Sequence, residues 1–406
     1  MHDVIAALFG VQGWILYRFE VKRERVDLYV GRPRKEAVCP QCGERTRQVH
    51  QRSRRWRQVL HSWHEDRPVY LRIRPRRFRC QACGKVFTER YPDLGRWSRR
   101  TGHADRRLLR VLAERSFGSA ARWAQVGVGV LRRALLQRVT GYVDIRAAVA
   151  DLPKIVLGID EHSFRGQDMM VTVTCVWPER RLLAILPDDR VKTLERFLQR
   201  LPVEVRQRIV GVCIDLKDSW RRVVQRQLPR ATVVADRFHV MQDANRRVDE
   251  ARVLEQQVTG LKLPRWPLLK NEEDLSERQA WQLAEIRKRH KNPAHFHWVK
   301  EQLRDVYRAT DRTEAAEILD RLIFNAEQAA DAALVQWSRT LRDWREEILA
   351  YHQLGVTNGY TEGVHTKIKL LKRLSYGFRN REIYVRKMLI AFVPLALLFP
   401  PPHLLT

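Results

Sequence analysis

The sequence has no long apolar run, few cysteines and a shortage of acidic residues. No apolar run reaches the roughly 18 residues that a membrane-spanning helix needs, and the longest, from Met388 to Phe399, is interrupted by Pro394. The first residues lack the basic segment that opens a secretory signal. Six cysteines in 406 residues then indicate a reducing compartment, where paired cysteines hold metal more often than they form disulfides. We therefore expect a cytoplasmic protein with no membrane partner.

The shortage of acidic residues leaves a large positive charge. Lys and Arg number 76 against 47 Asp and Glu, a net charge of +29. Residues 1–150 hold 33 basic and 13 acidic side chains, so +20 of this charge lies in the first third of the chain. Such an excess predicts contact with nucleic acid, and a merely solvated basic surface is the alternative. The 44% hydrophobic content and 12 Trp exclude a disordered basic tail.

Two short cysteine motifs predict a metal site. Cys39 and Cys42 form one CxxC pair followed by Gly, and Cys80 and Cys83 form a second. Four thiolates suit tetrahedral Zn²⁺, and the Gly after each pair lets backbone amides turn towards sulfur. The 37 residues between the pairs suit a ribbon with its knuckles on separate hairpins. We expect these four cysteines to hold one structural zinc ion, the alternative being two chance pairs of buried thiols.

Arginines are dense between the cysteine pairs. Residues 52–57 hold four of them, and residues 70–79 alternate apolar and basic side chains, as a strand with one basic face would. We expect this face to lie on phosphates rather than to be merely solvated. The arginines expected to bind nucleic acid here are Arg52, Arg54, Arg55, Arg57, Arg72, Arg74, Arg76, Arg77 and Arg79.

A helical pattern runs from about residue 105 to 143. It breaks at Gly118 and turns around Gly127, with Arg132 and Arg133 opening the last helix. Short helices around such a turn resemble a helix-turn-helix, in which these two arginines would contact DNA. Three helices that pack only on one another would give the same periodicity, so both interpretations stay open.

Residues 154–240 change to a β-β-β-α-β-α-β order. Three antiparallel strands followed by parallel strands with crossover helices are what a ribonuclease H-like domain requires. Cys175 and Cys213 fall inside strands, where we expect core packing. A charged helical stretch, broken between Gly260 and Pro267, continues to about residue 351, and a helix with Glu362 in its first turn follows.

The sequence therefore predicts a multidomain α+β protein. The expected parts are a zinc-ribbon DNA-binding domain at 1–95, a helical helix-turn-helix-like domain at 96–150, a ribonuclease H-like catalytic domain at 151–245, an all-helical insertion at 246–350, and the last part of the catalytic domain at 351–406.

Three carboxylates could share divalent cations. Asp160 ends the first strand of the predicted sheet and Asp215 the fourth, and these strands are neighbours in a ribonuclease H-like order. Two Mg²⁺ or Mn²⁺ ions held by Asp160, Asp215 and Glu362 would support phosphoryl transfer. Asp236 ends the fifth strand, one position further away, so we expect it to be accessory together with His239 and keep it as the alternative to Asp215. Each acidic residue alone would indicate only a helix cap or a turn.

Three sequence blocks resemble the signature blocks of the ISL-three family of bacterial insertion-sequence transposases. They are residues 158–164, 234–240 and 358–380, and the cysteine motifs at 39–83 are similar to the family's zinc domain. The resemblance implies a DDE transposase that binds terminal inverted repeats of double-stranded DNA, cleaves them with Mg²⁺ and joins the ends to target DNA, as a dimer or larger assembly at the bacterial nucleoid. It also implies that the D-x-x-H pair of Asp236 and His239 accompanies the second catalytic aspartate. Basic residues expected along this DNA are Lys367, Lys369, Lys372, Arg373 and Arg379.

Two other functions fit parts of the pattern. A zinc-dependent DNA-binding regulator with an inert ribonuclease H-like domain would bind repeats without cutting them, but it has no use for Glu362. A structure-selective nuclease would keep the three carboxylates, cut without repeats and join no strands.

Overall fold

The structure is a computed structural model that describes residues 9–11, 14–33, 35–91 and 93–399. The first eight residues, which belong to the segment considered for a signal, lie outside these ranges. The contacts divide the chain into two compact units, residues 1–141 with 369–406, and residues 142–368. The expected boundaries lie elsewhere: the predicted last domain at 351–406 is divided between the two units. Within the described ranges, no helix is long and apolar enough to cross a membrane.

The first unit contains three small sheets. Their strands are β1 (Ile15–Val21), β2 (Val26–Gly31), β3 (Ala37–Val38), β4 (Arg45–Thr46), β5 (Val49–Arg52), β6 (Arg57–His64), β7 (Arg67–Ile73), β8 (Arg76–Arg79) and β9 (Val86–Thr88). The largest sheet has the order β1-β2-β7-β6, β5-β8-β9 form a second, and β3 pairs with β4. Alternate side chains of the largest sheet, including Leu28 and Leu71, form a buried core on one face.

The expected single basic strand over residues 70–79 is wrong. Strand β7 ends at Ile73 and β8 begins at Arg76, and the two belong to different sheets. Pro75 lies between them and has no N–H to donate to a ladder, which favours a break there. Two of the arginines point to internal partners: Arg72 Nε lies 2.8 Å from Asp27 Oδ1, and Arg76 Nη2 lies 2.7 Å from Glu89 Oε2. No continuous basic face exists along this segment.

Three helices follow: α1 (Gly102–Ala113), α2 (Phe117–Ala124) and α3 (Val128–Arg138). The expected break at Gly118 is misplaced, because Ser116 caps α2 and Gly118 lies inside it. The turn at Gly127 is present, as the N-cap of α3. A C-terminal helix, Arg381–Phe392, packs on α1 and α3. Its fully buried Lys387 donates from Nζ to the carbonyl oxygen of Ala113, 2.8 Å away, at the end of α1.

The second unit is built on a five-stranded sheet. Its strands are β10 (Ile155–Arg165), β11 (Asp168–Trp177), β12 (Arg181–Leu186), β13 (Ile209–Ile214) and β14 (Thr232–Ala235). The order is β12-β11-β10-β13-β14, with β10, β11 and β12 antiparallel and β10, β13 and β14 parallel. The connecting helices are α4 (Ile145–Ala148) before the sheet, then α5 (Val191–Arg200), α6 (Val203–Arg208) and α7 (Asp218–Gln227). Cys175 and Cys213 are buried in the sheet, as expected for core residues.

A helical region follows β14, as the charged periodic pattern predicted. It comprises α8 (Arg237–Thr259), α9 (Trp266–Leu269), α10 (Glu277–Arg289), α11 (Lys291–Arg308), α12 (Arg312–Glu327), α13 (Ala332–Asp343), α14 (Arg345–Leu349) and α15 (Tyr351–Leu354). Gly260, with φ +70°, ends α8, and the expected interruption follows. Helices α16 (Gly359–Leu374) and α17 (Arg381–Phe392) complete the described chain.

The segment before α16 packs closely on β10. Asn358 is fully buried, and its Nδ2 donates to the carbonyl oxygen of Ile159 at 3.2 Å. This approach requires glycine at position 158, because a Cβ there would lie 2.5 Å from Asn358 Oδ1 and 2.6 Å from Val176 Cγ1. The close packing of this segment on β10 therefore requires a residue without a Cβ at position 158.

We predict that Gly158→Ala destabilises the second unit, because the added methyl group overlaps Asn358 Oδ1. Overpacking of this kind costs about 1–3 kcal/mol, and a unit of this size loses about 2–4 °C of Tm for each kcal/mol. Gly363→Ala is the control, since it lies inside α16 with no atom within 4 Å of the added Cβ. Calorimetry should show a lower Tm for the first variant alone, and equal Tm values would contradict the packing described.

Candidate active site

Three aspartates lie on or directly after three adjacent parallel strands. Asp160 does not end its strand as expected, because β10 continues to Arg165 in its pairing with β11. Asp160 lies on β10 two residues beyond Gly158, the last residue that pairs with β13. Asp215 directly follows β13, and Asp236 directly follows β14. Ligand atoms of Asp160, Asp215 and His239 all lie within 4.8 Å of one another. The strand ends therefore bring together carboxylates that are up to 76 residues apart in the chain.

His239 lies between two of these aspartates. It stands in the first turn of α8, with Nδ1 2.8 Å from Asp236 Oδ2 and 2.9 Å from Asp215 Oδ1. Burial lowers the pKa of His239, but the two carboxylates outweigh it and raise the pKa to about 10. The ring is therefore an imidazolium whose Nδ1 carries one proton, and its hydrogen bond goes to Asp236.

Asp215 and Asp236 differ in how their oxygens are used. Asp236 is fully buried, and its Oδ1 accepts a hydrogen bond from the backbone N–H of Asn358 at 3.0 Å while Oδ2 binds His239. Asp215 Oδ1 is buried without a hydrogen bond among the described residues. Burial raises the pKa of Asp215 to about 6, with the charges of Asp160 and Asp236 acting in the same direction. Both oxygens of Asp236 thus accept hydrogen bonds within the fold, whereas Asp215 Oδ1 lies beside the imidazole of His239, whose hydrogen bond goes to Asp236.

Glu362 reaches the same place from the first turn of α16. Its ligand oxygen lies within 4.8 Å of those of Asp236 and His239. Oε1 is buried without a hydrogen bond in the described part of the chain. Burial raises the pKa of Glu362, as do the charges of Asp236 and Asp160. The structure therefore groups Asp160 and Asp215 on one side of His239, and Asp236 and Glu362 on the other.

Buried threonines fix the first turn of α16 to the sheet. Thr361 Oγ1 and Thr174 Oγ1 lie 2.7 Å apart, and both side chains are fully buried. Thr361 directly precedes Glu362, so this hydrogen bond fixes the position of the Glu362 backbone. The sequence indicated the helix but not this anchor.

Asp160 is held by residues that the sequence reasoning missed. Its Oδ1 accepts from the N–H of Glu161 at 2.6 Å, and its Oδ2 lies 3.4 Å from His365 Nδ1. The other nitrogen of His365 lies 3.0 Å from Thr172 Oγ1, which in turn lies 2.9 Å from His162 Nδ1. Burial would raise the pKa of Asp160, but the hydrogen bond and charge of His365 outweigh it and lower the pKa.

A helical spacing could have identified His365. It follows Glu362 by three residues and therefore lies on the same face of α16. Thr172 carries no comparable signal, because only the register of β10 with β11 sets it opposite Asp160.

The four cysteines of the first unit form a second cluster. Their Sγ atoms lie within 4.8 Å of one another, with 3.6 Å between Cys39 and Cys83 and 3.5 Å between Cys42 and Cys80. Tetrahedral zinc with bonds near 2.3 Å needs sulfurs about 3.8 Å apart. The two knuckles also turn alike, since Gly43 and Gly84 have φ of +77° and +72°. This arrangement supports a structural zinc ion.

A further cluster, formed by two glutamates and a histidine, does not suit a metal ion. Ligand atoms of Glu272, His297 and Glu301 lie within 4.8 Å of one another. Arg287 pairs with Glu272, and Lys300 Nζ lies 2.8 Å from Glu301. Burial, together with these cations, lowers the pKa of His297 to about 3. Positively charged side chains therefore already pair with both glutamates of this cluster.

The basic residues predicted to bind nucleic acid differ in their exposure and in their partners. Arg57 donates from Nη1 to the carbonyl oxygen of Arg96 at 2.8 Å, and like Arg72 and Arg76 it has an internal partner. Lys367 and Lys372 are half-buried. The exposed group is Arg52, Arg54, Arg55, Arg74, Arg77, Arg79, Arg132, Arg133, Lys369, Arg373 and Arg379.

The chain is similar to known transposases. The chain is 28% identical over 404 residues to the transposase for insertion sequence element IS1001 of Bordetella parapertussis, covering 96% of this chain and 98% of that protein. It is 29% identical over 258 residues to the transposase for insertion sequence element IS1557 of Mycobacterium tuberculosis, covering 56% of this chain and 58% of that protein. The solved Drosophila P element transposase strand transfer complex covers 70% of this chain and 91% of its own, at 10% identity and a TM-score of 0.42.

Two family models match the chain. The model for the zinc-finger of transposase IS204/IS1001/IS1096/IS1165 matches residues 35–83, which include the cysteine cluster. The ISL3 transposase model matches residues 157–388, more than half of the chain and all of the carboxylates described above. The chain therefore belongs to the ISL3 family of transposases, the ISL-three family that its sequence blocks resemble.

Proposed function

We propose that the protein is a DDE-type transposase that binds the terminal inverted repeats of its insertion sequence in double-stranded DNA, cleaves there and transfers the freed strand to target DNA. The observation that carries this proposal is that two groups of carboxylates share His239, one formed by Asp160 and Asp215 and the other by Asp236 and Glu362. These residues come from distant segments. A fold that had no use for the cluster would gain stability by separating such like charges.

The sheet supports a ribonuclease H-like catalytic domain. In chain order, the strands are arranged third, second, first, fourth and fifth, with the parallel pairing expected for the last two. The first and fourth strands are neighbours, which is the placement on which the choice of Asp160 and Asp215 rests. The helical region between β14 and α16 is then an insertion in this domain.

The donor set fits divalent magnesium or manganese. Asp160, Asp215 and Glu362 offer carboxylate oxygens, the ligands that these hard cations prefer. Glu362 Oε1 is buried without a hydrogen bond in the described structure, as a ligand atom awaiting a cation would be, and Asp215 Oδ1 is buried with His239 Nδ1 2.9 Å away. Two such ions, when bound, would activate the attacking oxygen and stabilise the charge on the leaving oxygen of a phosphodiester.

The chain's own residues orient this donor set. His365 and the N–H of Glu161 hold the carboxylate of Asp160. Asp236 holds the proton on His239 Nδ1, so the imidazolium offsets part of the negative charge beside Asp215. Asp215 is therefore the second catalytic aspartate in this proposal, and Asp236 and His239 are positioning residues.

DNA contact is assigned to the basic first unit and the basic end of α16. The exposed arginines and lysines named above would bind phosphates, and the zinc ribbon would hold β5, β8 and their arginines in place. We propose a dimer or larger assembly on paired repeat ends, acting at the bacterial nucleoid.

We predict that Asp160→Asn, Asp215→Asn and Glu362→Gln each lower cleavage of a supercoiled donor plasmid by more than about 100-fold, because each removes a metal ligand. The plasmid carries the element's repeats, and nicking is measured in Mg²⁺. Asp218→Asn is the control, since Asp218 is exposed and pairs with Arg221 at the start of α7. Unchanged cleavage by Asp215→Asn would remove Asp215 from the site. Repeat binding without nicking by the wild type, in Mg²⁺ and Mn²⁺, would favour the inert regulator.

A change of metal distinguishes the two candidate second aspartates. We expect Asp215→Cys to be inactive in Mg²⁺ and to recover about tenfold or more in Mn²⁺, because a thiolate binds Mn²⁺ better than Mg²⁺. Asp236→Cys should not recover, since the carboxylate of Asp236 binds Asn358 and His239. The readout is plasmid nicking with the wild type in both metals. Recovery of Asp236→Cys alone would reverse the assignment.

We predict one zinc ion per chain, bound by Cys39, Cys42, Cys80 and Cys83. The double variant Cys42→Ser/Cys83→Ser should lose the zinc and bind duplex DNA more weakly, because the ribbon is no longer held together. Cys175→Ala is the matched control, a thiol buried in β11 and far from the cluster in sequence. Elemental analysis of the purified proteins measures the zinc, and zinc retained by the double variant would contradict the assignment.

A further inference from the structure

A basic pocket in the first unit lies outside every residue assigned so far. It has a volume of about 250 Å³ and is lined by Ser62, Trp63, His103, Arg106, Arg107 and Arg110. All six belong to residues 1–141, so the pocket lies within one compact unit.

Helix α1 forms one wall of the pocket. His103, Arg106, Arg107 and Arg110 are spaced i, i+3, i+4 and i+7 and therefore share one face of the helix. The opposite face carries fully buried leucines, among them Leu108, which hold α1 against the core. The basic face is thus presented on a rigid element.

Strand β6 forms the floor. Its pairing with β7 is irregular between Leu60 and Ser62, and Ser62 and Trp63 line the pocket. Trp63 is fixed there, since its Nε1 donates to the carbonyl oxygen of Ala124 at 3.1 Å and its ring lies 5.7 Å from that of Trp123. The floor and wall are therefore both held by contacts elsewhere in the unit.

The pocket contains donors that nothing in the described structure satisfies. Ser62 is 8% exposed, and its Oγ has no hydrogen-bond partner there. Arg107 and Arg110 are exposed and form no ion pair with the described residues. A buried hydroxyl without an acceptor costs free energy, so it indicates a missing partner.

The charge of the pocket is strongly positive. The acidic group at its edge is Asp93, whose Oδ2 lies 3.1 Å from Arg106 Nη2 and accepts from the N–H of His103 at 2.6 Å. Burial lowers the pKa of His103, and the three arginines act in the same direction. Asp93 thus pairs with one of the three guanidinium groups of the pocket, that of Arg106.

We propose that this pocket binds one phosphate group of the DNA backbone, an assignment that rests on the proposed function. The guanidinium groups of Arg107 and Arg110 would bind the two non-bridging oxygens, and Ser62 would donate its hydroxyl proton to one of them. A free phosphate ion would offer the same kind of oxygen atoms to these side chains. A backbone phosphate is favoured because the pocket lies in the part of the chain that holds +20 of its net charge.

The test compares three variants of the full chain. Arg107→Ala/Arg110→Ala removes two charges from the pocket, Ser62→Ala removes only the hydroxyl, and Arg321→Ala/Arg339→Ala removes two charges from exposed positions of α12 and α13. Fluorescence anisotropy measures the affinity of each for a labelled duplex of random sequence over a series of KCl concentrations. Calorimetry confirms that each variant folds.

The expected results follow from loss of one phosphate contact. Arg107→Ala/Arg110→Ala should bind the duplex about tenfold more weakly near 0.1 M salt, and the slope of log K against log [KCl] should fall in magnitude by about 1. Ser62→Ala should bind about threefold to tenfold more weakly with an unchanged slope. The control pair should change the affinity less than about twofold.

Two results would overturn the proposal. One is equal binding by Arg107→Ala/Arg110→Ala and the control pair. The other is unchanged DNA binding by both pocket variants while inorganic phosphate, at matched ionic strength, raises the Tm of the wild type and not of Arg107→Ala/Arg110→Ala, which would assign the pocket to free phosphate. Plasmid nicking tests the proposed function separately: a wild type that shows the pocket effects without nicking would refute the transposase alone.

Discussion

The crowding of four carboxylates around one imidazolium is the constraint on which the second unit depends. The four carboxylates belong to Asp160, Asp215, Asp236 and Glu362. A chain free to rearrange would keep these like charges apart and in water. Burial and the neighbouring carboxylates raise the pKa of Asp215 and Glu362, and the same carboxylates raise the pKa of His239 by stabilising its positive charge. A fold can maintain such crowding only where surrounding packing and hydrogen bonds hold the backbone of each contributor.

The surrounding structure meets that requirement with buried polar contacts between distant segments. Asn358 binds the backbone of β10 and the carboxylate of Asp236, and Thr361 binds Thr174 of β11. These contacts return α16 to the sheet after a helical region of more than 100 residues. Because these hydrogen bonds join specific partners, they favour one geometry for the return, and the position of Glu362 follows from it.

The first unit uses arginine in two ways. Arg72 and Arg76 neutralise the buried carboxylates of Asp27 and Glu89 and so belong to the core. Other arginines, such as Arg110 on α1 and Arg133 on α3, are exposed and form no ion pair with the described residues. Charge density in the sequence cannot separate the two uses, because an arginine beside an acidic strand and one beside solvent look alike until the strands are paired.

The sequence by itself determined those features that depend on short spacing. Two cysteines separated by two residues can bind a common ion, a carboxylate on or next to a buried strand can face a site at the sheet, and a 3.6-residue period gives a helix. For these reasons the cysteine cluster, the positions of Asp160 and Asp215, and the helical region could be predicted. Features that depend on residues distant in the chain became visible only in the folded molecule: the partners of Arg72 and Arg76, the unpaired oxygen of Glu362, and the approach of Ser62 to α1. Local sequence restricts the backbone within a few residues, whereas these contacts exist only once separate elements pack together.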